Sequence, residues 1–379
     1  MSVWRQASIP SGPRRSGQAE RRFGIRCSLI DRQIITAASP EWRTLLGHAD
    51  HDFYHLPCYQ ELSAAPGDQP LAFLATAGDE RLLIPFHRRT ISAEITQGRE
   101  LFDISSPYGY PGPIWTRNAS QDFIADALAG FSVSLKDAKI VSAFVRLHTL
   151  LNPAKPFAGI GTLVNHGPSV YIDLTLSEEQ LWAQTRRGHK RDLSVLERRG
   201  YTITMDDWSR FDDFLTCYYD SMRRLGASQF YFFPREYFDR LRACLGDRIH
   251  LCLVHLNGDI ACAGLVTEMD GLCQYHLSAT ADSHFQDHPS KLMLHKLRFW
   301  LKDRGNRVYH IGGGVGALRD TLHLFKIGFS PLTADFHTWR IVPDEDLYSA
   351  LTERWSALAG RPPVDPEQFF PQYRAALDA

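Results

Sequence analysis

Residues 248–279 read RIHLCLVHLNGDIACAGLVTEMDGLCQYHLSA, and this stretch decides the fold. Apolar residues run through it and are interrupted twice, by Asn257-Gly258 and by Asp270-Gly271. Both dipeptides are strong signals for a two-residue hairpin turn, because their residues accept a positive φ. The stretch therefore predicts three consecutive antiparallel strands, over residues 248–256, 260–268 and 272–279.

Helices and single strands are predicted on either side of these strands. Ser177, followed three residues later by Gln180, is a capping-box pattern that marks the start of a helix. Towards the amino terminus, apolar periodicity predicts helices over 179–199, 211–224 and 236–245 and a strand over 201–205. Towards the carboxyl terminus, it predicts helices over 290–304 and 318–326 and strands over 308–311 and 335–341.

The first half of the chain shows a similar pattern. Two β-rich runs, 70–76 and 81–88, flank a turn at Ala77-Gly78-Asp79-Glu80 and predict a hairpin. Residues 101–115 contain three Pro and two Gly, which cannot continue a helix or a central strand, so we predict a shaped loop. We then predict a helix over 120–130, a strand over 141–148 and a domain boundary within 152–168.

Composition limits the classes of protein. The chain has 379 residues, 42 basic and 43 acidic side chains, and a formal net charge of −1. This length predicts two domains, and near-neutrality argues against a protein that coats DNA through global positive charge. No apolar run approaches the roughly 20 residues that span a bilayer, so we expect no membrane span.

Cysteines and the amino-terminal segment bear on location. The seven cysteines form no CxxC pattern, and we expect buried thiols in a reducing cytoplasm. The first 26 residues contain six Arg and one Glu but no apolar segment, so we expect that they are not a secretory signal. They predict a flexible basic tail, with an organellar transit peptide as the alternative.

Three local motifs resemble the Fem-type aminoacyltransferases of the GNAT superfamily. They are HIGGGVGALRDTLHLFKIGFS at 310–330, the basic segments TRRGHKR at 185–191 and RRGY at 198–201, and SPYGYPGP at 106–113. The order of strands and helices around residues 248–279 is also that of the GNAT fold. The resemblance covers most of residues 50–340.

The resemblance implies an α/β (α+β) fold with two GNAT-like units, each a mixed, mostly antiparallel sheet flanked by helices. The expected division is a tail at 1–26, a first unit at 27–160, a second unit at 161–341, and a return to the first unit at 342–379. The implied reaction transfers an amino acid from aminoacyl-tRNA to an amine of a small-molecule, cell-wall or natural-product acceptor. In this family pattern, Lys326 and Phe325 match residues at the acyl-donor end.

Two other functions remain open. One is an acyl-CoA-dependent N-acyltransferase of the same fold, and the other is a non-catalytic relative that binds tRNA or a partner. CoA-binding GNAT units hold the pyrophosphate on a glycine-rich turn before a helix. The corresponding residues here, 279–290, contain no glycine and two Asp, which disfavours CoA and favours tRNA by elimination. A monomer or weak dimer without a cofactor is expected.

Candidate donor-side residues follow from charge and glycine content. Residues 186–199 hold six basic and two acidic residues, a local charge of +4, and the alternative to anion binding is a solvated face. The predicted tRNA-phosphate ligands are Arg186, Arg187, Lys190 and Arg191. Gly312, Gly313 and Gly314 predict a substrate-facing loop, or else a tight turn. Lys326 is predicted to stabilise the oxyanion of the reaction, unless it is an ordinary surface lysine.

Acceptor-side candidates are aromatic and acidic. Tyr108 and Tyr110 are predicted to wall the acceptor site, and Asp103 to hold the acceptor ammonium. Tyr275 and His276 point to opposite faces of a strand, so one of them is a candidate for proton relay. Two HxxxH pairs, His51/His55 and His284/His288, lack a third ligand, so no metal is predicted.

Overall fold

The computed structural model describes residues 30–314 and 319–377. The predicted basic tail at 1–26 lies outside the described residues. In the part of the chain that is described, thirteen strands form one sheet. The strands are β1 (Asp31–Thr36), β2 (Gln69–Ala77), β3 (Glu80–Thr90), β4 (Phe102–Ser105), β5 (Ile114–Trp115), β6 (Ile140–Arg146), β7 (Thr162–Asp173), β8 (Thr202–Met205), β9 (Ile249–Leu256), β10 (Asp259–Met269), β11 (Leu272–Thr280), β12 (Val308–Gly313) and β13 (Thr333–Ile341).

Helices cover both faces of this sheet. One face carries α1, α2, α7 and α8, whose apolar side chains share a single core, and the other carries α4, α6 and α9. The helices are α1 (Pro40–Leu46), α2 (Pro57–Ser63), α3 (Ala93–Thr96), α4 (Gln121–Asp137), α5 (Glu178–Gln184), α6 (Arg187–Arg198), α7 (Phe211–Arg224), α8 (Arg235–Leu245), α9 (Ser290–Asp303), α10 (Thr321–Lys326) and α11 (Glu345–Ala359).

The sheet repeats one arrangement in its two halves. Its order is β1-β2-β3-β4-β6-β13-β7-β12-β11-β10-β9-β8, with β5 paired to β3. Only β4 with β6 and β11 with β12 are parallel pairs, and the other pairs are antiparallel. The predicted fold class, a mixed and mostly antiparallel sheet flanked by helices, is confirmed. The division into units at fixed residue boundaries stays a prediction.

The central strands are exchanged between the halves. β7 follows β6 in the chain but pairs with β12, whereas β13 follows β12 and pairs with β6. β7 and β13 also pair with each other and join the two halves into one sheet. Hydrogen bonding along the middle of the molecule therefore involves both halves at once.

The hairpin predictions are confirmed, because β2–β3 and β9–β10–β11 are antiparallel neighbours. Strand β7 is the main miss, since its first residues fall where a domain boundary was predicted. Asn165, Gly167 and Pro168 argue locally against a strand. The strand accommodates them with a bulge: His337 pairs with Asn165 and Phe336 with Gly167, which has φ of +120°.

Two other element predictions need correction. Residues 102–105 of the predicted loop form β4, which extends the sheet between β3 and β6. The predicted helix over 179–199 is two helices, α5 and α6, that separate at Thr185. The Thr185 hydroxyl donates to the Leu181 carbonyl (3.0 Å) and accepts from the buried Arg298 guanidinium (2.8 Å). A single helical face along 179–199 therefore does not exist.

Cys58 on α2 and Cys244 on α8 form a disulfide across the two halves, with Cα atoms 5.6 Å apart. This corrects the expectation that all cysteines are thiols. The four that are free among the described residues are buried, namely Cys217, Cys252, Cys262 and Cys273. No helix in residues 30–314 and 319–377 has the length and apolarity needed to cross a bilayer.

Asp103 serves the architecture. It is fully buried, and its carboxylate accepts hydrogen bonds from Arg89 Nε (2.7 Å) and Arg374 Nε (2.7 Å). Arg374 follows α11, so this ion-paired triad fastens the end of the chain to β3 and β4. Because both oxygens are occupied, the expectation that Asp103 holds an acceptor ammonium is corrected.

We expect Asp103→Asn to lower the free energy of unfolding by about 3 kcal/mol, because it leaves two arginines without their shared carboxylate. Urea-induced unfolding measures this loss. Glu100→Gln is the matched control: Glu100 is 71% exposed and pairs with Lys139, so its replacement should change stability by less than about 0.5 kcal/mol. Equal effects of the two variants would contradict the role given to Asp103.

Candidate active site

The candidate site lies where two parallel strands separate. β11 and β12 pair only from Leu272 with Val308 to Gln274 with His310. Beyond that point both strands continue, β11 to Thr280 and β12 to Gly313, without pairing to each other. His310 and the glycine run therefore stand at the vertex of an opening in the sheet.

Lys326 is buried at this vertex, with 8% of its surface exposed. It is the last residue of α10, and its Nζ donates to the Gly313 carbonyl at 2.7 Å. Gly312 has φ of +77°, and a Cβ atom there would lie 3.2 Å from Lys326 Nζ, so glycine permits this approach. Burial lowers the pKa of Lys326 to about 8, with Asp320 acting in the opposite direction. The alternative of an ordinary surface lysine is excluded.

A chain of buried hydrogen bonds runs beside the vertex. Asp52 Oδ2 accepts from Gln274 Nε2 (2.6 Å) and from His148 Nε2 (3.1 Å). Gln274 Oε1 in turn accepts from His310 Nδ1 at 2.7 Å. His148 Nδ1 accepts from the backbone N–H groups of residues 150 and 151, which fixes the proton on its Nε2. None of these four side chains is more than 2% exposed.

The buried hydrogen bonds continue from His310 towards the glycine run, Gly312–Gly314. Because His310 donates through Nδ1, its Nε2 accepts from the hydroxyls of Thr149 (3.2 Å) or Ser169 (2.9 Å). Ser169 is the strand partner of Gly313, whose carbonyl binds Lys326. Burial lowers the pKa of His310 well below its ordinary value, and the nearby His148 and Lys326 act in the same direction. His310 is therefore neutral at physiological pH.

Tyr108 and Tyr110 lie in different surroundings. The Tyr110 ring is 5.1 Å from His310 and 5.3 Å from Phe336, so Tyr110 forms a wall of the vertex. The Tyr108 ring instead packs 5.7 Å from Phe230 and 6.4 Å from His276. The SPYGYPGP motif at 106–113, within the loop predicted over 101–115, thus places its two tyrosines in two neighbouring clusters.

The three other predicted catalytic side chains are packed elsewhere. Tyr275 lies in the core near Tyr309, and its pKa is raised by burial. His276 is on the other face, 3.3 Å from the Tyr237 hydroxyl, and burial lowers its pKa to about 3. Phe325 packs 5.6 Å from the ring of His189. These positions bring only Lys326 of the predicted catalytic group to the vertex.

The predicted phosphate ligands start next to α10. The backbone N–H of Arg186 donates to the Gly328 carbonyl (2.8 Å), and His189 Nε2 donates to the Phe325 carbonyl (2.8 Å). Arg186, Arg187 and Arg191 are exposed, while Lys190 lies 5.1 Å over the Trp182 ring. The four residues therefore form a basic surface at the start of α6, which is hydrogen-bonded to the end of α10 and the residues after it.

No three His, Cys, Asp or Glu side chains are grouped to hold a metal ion within residues 30–314 and 319–377.

The comparisons with known proteins concern the fold. Residues 183–319 match the family model of the acetyltransferase (GNAT) domain. The crystal structure of FemX superposes with a TM-score of 0.62 and 12% identity, covering 84% of this chain and 99% of that chain. The chain has the Fem-type GNAT fold.

Two further structures agree on this fold. L-PGS from Bacillus licheniformis has a TM-score of 0.51 and 13% identity, over 84% of this chain and 96% of that chain. A conserved protein of unknown function from Bacteroides thetaiotaomicron has a TM-score of 0.51 and 12% identity, over 83% and 100%. No curated protein matched this chain. The fold that the sequence resemblance implied is confirmed, and residues 183–319 match an acetyltransferase (GNAT) domain.

The sequence prediction missed Asp52, His148, Gln274 and His310. A signal existed for two of them, because Gln274 and His310 are polar residues inside apolar runs, at Cys273-Gln274-Tyr275 and Tyr309-His310-Ile311. A polar side chain in a central strand requires a buried partner. Nothing local identifies Asp52 as that partner, since it lies 222 residues from Gln274.

Replacing Gln274 tests the buried chain. Gln274→Leu leaves Asp52 without one donor and His310 without its acceptor. We therefore expect the free energy of unfolding to fall by about 2–4 kcal/mol. Thermal and urea unfolding of the full chain measure the change. The exposed Gln286, changed to Leu, is the control and should alter stability by less than about 0.5 kcal/mol. A Gln274→Leu protein as stable as the control would show that these buried hydrogen bonds contribute little to stability.

Proposed function

We propose that this protein is an aminoacyltransferase that moves an amino acid from aminoacyl-tRNA to an amine and forms an amide bond. The observation that supports it most directly is the Lys326 ammonium, buried at the vertex between β11 and β12 and directed at the glycine run. A cation at the opening of an acyltransferase sheet, close to an exposed basic surface, suits a reaction between a charged nucleic acid donor and an amine.

The chemistry needs few protein groups. The acceptor nitrogen attacks the ester carbonyl, the new C–N bond forms, and the C–O bond to the tRNA ribose breaks. The proton that the amine loses ends on the released ribose hydroxyl. Lys326 would stabilise the negative oxygen of the tetrahedral intermediate, where a charge in a poorly solvated site acts strongly. The aminoacyl ester is already activated, so positioning supplies much of the remaining rate.

The start of α9 supports tRNA over CoA as the donor. The backbone N–H groups of Lys291, Leu292 and Met293 donate to the carbonyls of residues 288 and 289. Asp287, at the same junction, pairs with Arg199 and accepts from Tyr201. Amides that are already bonded and a nearby carboxylate make a poor pyrophosphate site.

The basic surface at the start of α6 supports the same donor. Among the described residues, neither Arg186 nor Arg187 is in an ion pair, whereas Arg191 lies 3.5 Å from Asp192. Exposed arginines without carboxylate partners are suited to backbone phosphates. We propose that they hold the acceptor stem of the tRNA in the cytoplasm, where charged tRNA is found, while a small amine enters past Tyr110.

The donor is tested with total tRNA charged with labelled amino acids, purified protein and a small-molecule extract as the source of acceptor. We expect labelled, tRNA-free amide product, and we expect prior RNase treatment to abolish it. Product that persists after RNase, or that forms with acyl-CoA alone, would contradict tRNA dependence and favour the CoA-dependent alternative.

The role of Lys326 is tested by Lys326→Ala, for which we expect kcat/KM to fall by about 100-fold while tRNA binding is retained. With a pKa of about 8, Lys326 is charged below that pH and neutral above it. The ratio of wild-type to variant activity should therefore decline as pH rises through about 8. A ratio that rises instead would mean that the neutral amine acts as a base.

The control for this variant is Lys136→Ala, at a lysine of α4 that is 62% exposed. It should have wild-type kcat/KM and the wild-type pH profile. Lys326→Ala with unchanged activity would overturn the site assignment, and a variant that loses tRNA binding as well would place Lys326 in the binding surface rather than beside the reacting carbonyl.

A further inference from the structure

Arg146 is a half-buried cation without a counter-ion. It ends β6, and its Nη1 donates to the Ser106 carbonyl at 2.8 Å while its guanidinium lies 4.8 Å over the Phe144 ring. None of the ion pairs formed by residues 30–314 and 319–377 includes it. The contact with Ser106 uses one of five N–H donors, which leaves most of the guanidinium edge available.

The charges around Arg146 do not compensate it. Burial lowers its pKa, and the nearby Arg89 acts in the same direction. The groups that favour its charge are the hydroxyls of Tyr59, Tyr108 and Tyr231, and none of these is a carboxylate. Asp103, which is bonded to the nearby Arg89, is already shared between Arg89 and Arg374.

Two other enclosed cations of this protein have more compensation from protein groups than Arg146 has. Lys291 pairs with Asp192 at 2.5 Å, and the fully buried Arg298 donates to the Leu181 carbonyl and the Thr185 hydroxyl. A cation that is removed from water without a partner is costly, and folded proteins rarely keep one without a reason. Arg146 is bonded to one carbonyl and has a solvent-facing side, so an anion that enters there would supply the compensation that the protein does not.

The surroundings of Arg146 form an aromatic enclosure. The Tyr59 hydroxyl donates to the Tyr108 carbonyl at 2.9 Å, and the Tyr108 ring lies 6.2 Å from Tyr231. The segment with Tyr231 is fixed in turn, because its carbonyl accepts from the Tyr218 hydroxyl at 2.6 Å. Phe230, in the same segment, is 57% exposed, so one edge of the enclosure is open to solvent.

This enclosure is next to the candidate active site. Tyr108 is two residues from Tyr110, which walls the vertex, and Arg146 is three residues from Thr149, which bonds to His310. Three residues span at most about 11 Å of backbone. One small molecule can therefore place an anion at Arg146 and an amine near the vertex.

We propose that Arg146, enclosed by Tyr59, Tyr108 and Tyr231, binds an anionic group of the acceptor, so that the acceptor is an amine that also carries a carboxylate or a phosphate. The inference rests on the proposed function in taking the ligand to be an amine acceptor. Neutral amino sugars and simple polyamines are excluded as preferred acceptors, because they bring no anion to Arg146.

Binding is measured without any donor, by calorimetry on the full chain, with pairs of amines that differ only in the anion. The pairs are alanyl-alanine with its carboxamide, and O-phosphoethanolamine with ethanolamine. We expect the anionic member of one pair to bind at least about tenfold more tightly than its neutral partner. Which pair shows the preference distinguishes a carboxylate from a phosphate.

Arg146→Met should abolish this preference, and Arg146→Lys should retain part of it because the charge remains. Arg117→Met, at an arginine that is 53% exposed, is the control and should keep the full preference. Because Arg146 lacks a counter-ion, its replacement by Met should leave the melting temperature equal or higher, whereas loss of a structural arginine would lower it.

Two results would overturn the proposal: no pair in which the anionic amine binds more tightly, or an Arg146→Met protein that keeps the preference. Neither result depends on tRNA. Failure of the RNase-sensitive transfer assay together with an anion preference lost in Arg146→Met would instead retain the anion subsite and reject the aminoacyl-tRNA donor.

Discussion

The hydrogen bonds from Asp52 through Gln274 to His310 are the constraint around which this molecule is arranged. Asp52 and His148 come from the first half of the chain, and Gln274 and His310 from the second. A carboxylate that is fully buried tolerates little displacement of its donors. The two halves are therefore held in one relative position at the point where β11 and β12 diverge, and the geometry of the vertex depends on that position.

Burial and the role proposed for Lys326 place opposite demands on its charge. Its ammonium donates to one carbonyl and is attracted by Asp320. The pKa of about 8 indicates that these two interactions offset only part of the cost of burying the charge. An enclosed positive charge is unfavourable for folding but favourable for an oxyanion that forms beside it. Arg146 presents the same conflict in the first half. The two cations are alike, because a negative group that enters beside either of them would offset part of the cost of its burial.

Prediction from sequence succeeded where the signal was local. Asn257 and Asp270 adopt positive φ in the structure, as their hairpin turns require, and the meander followed from those dipeptides alone. Prediction failed where distant partners decide the outcome. Strand β7 contains Asn165, Gly167 and Pro168, and it is a strand because β12 and β13 lie on either side of it. The burial of Lys326, the pairing of Asp103 and the role of Asp52 likewise depend on residues far away in the chain.

The exchange of β7 and β13 has a consequence for synthesis of the protein on the ribosome. β6 acquires its antiparallel neighbour only when β13, ending at Ile341, has emerged. Until then, the nascent first half presents an unpaired strand edge, and β7 lacks its partner strand β12. The first half therefore cannot finish folding before the second half has been synthesised. Its sheet closes only after β13 has been synthesised, so we expect chaperones to protect the unpaired strand edge until then.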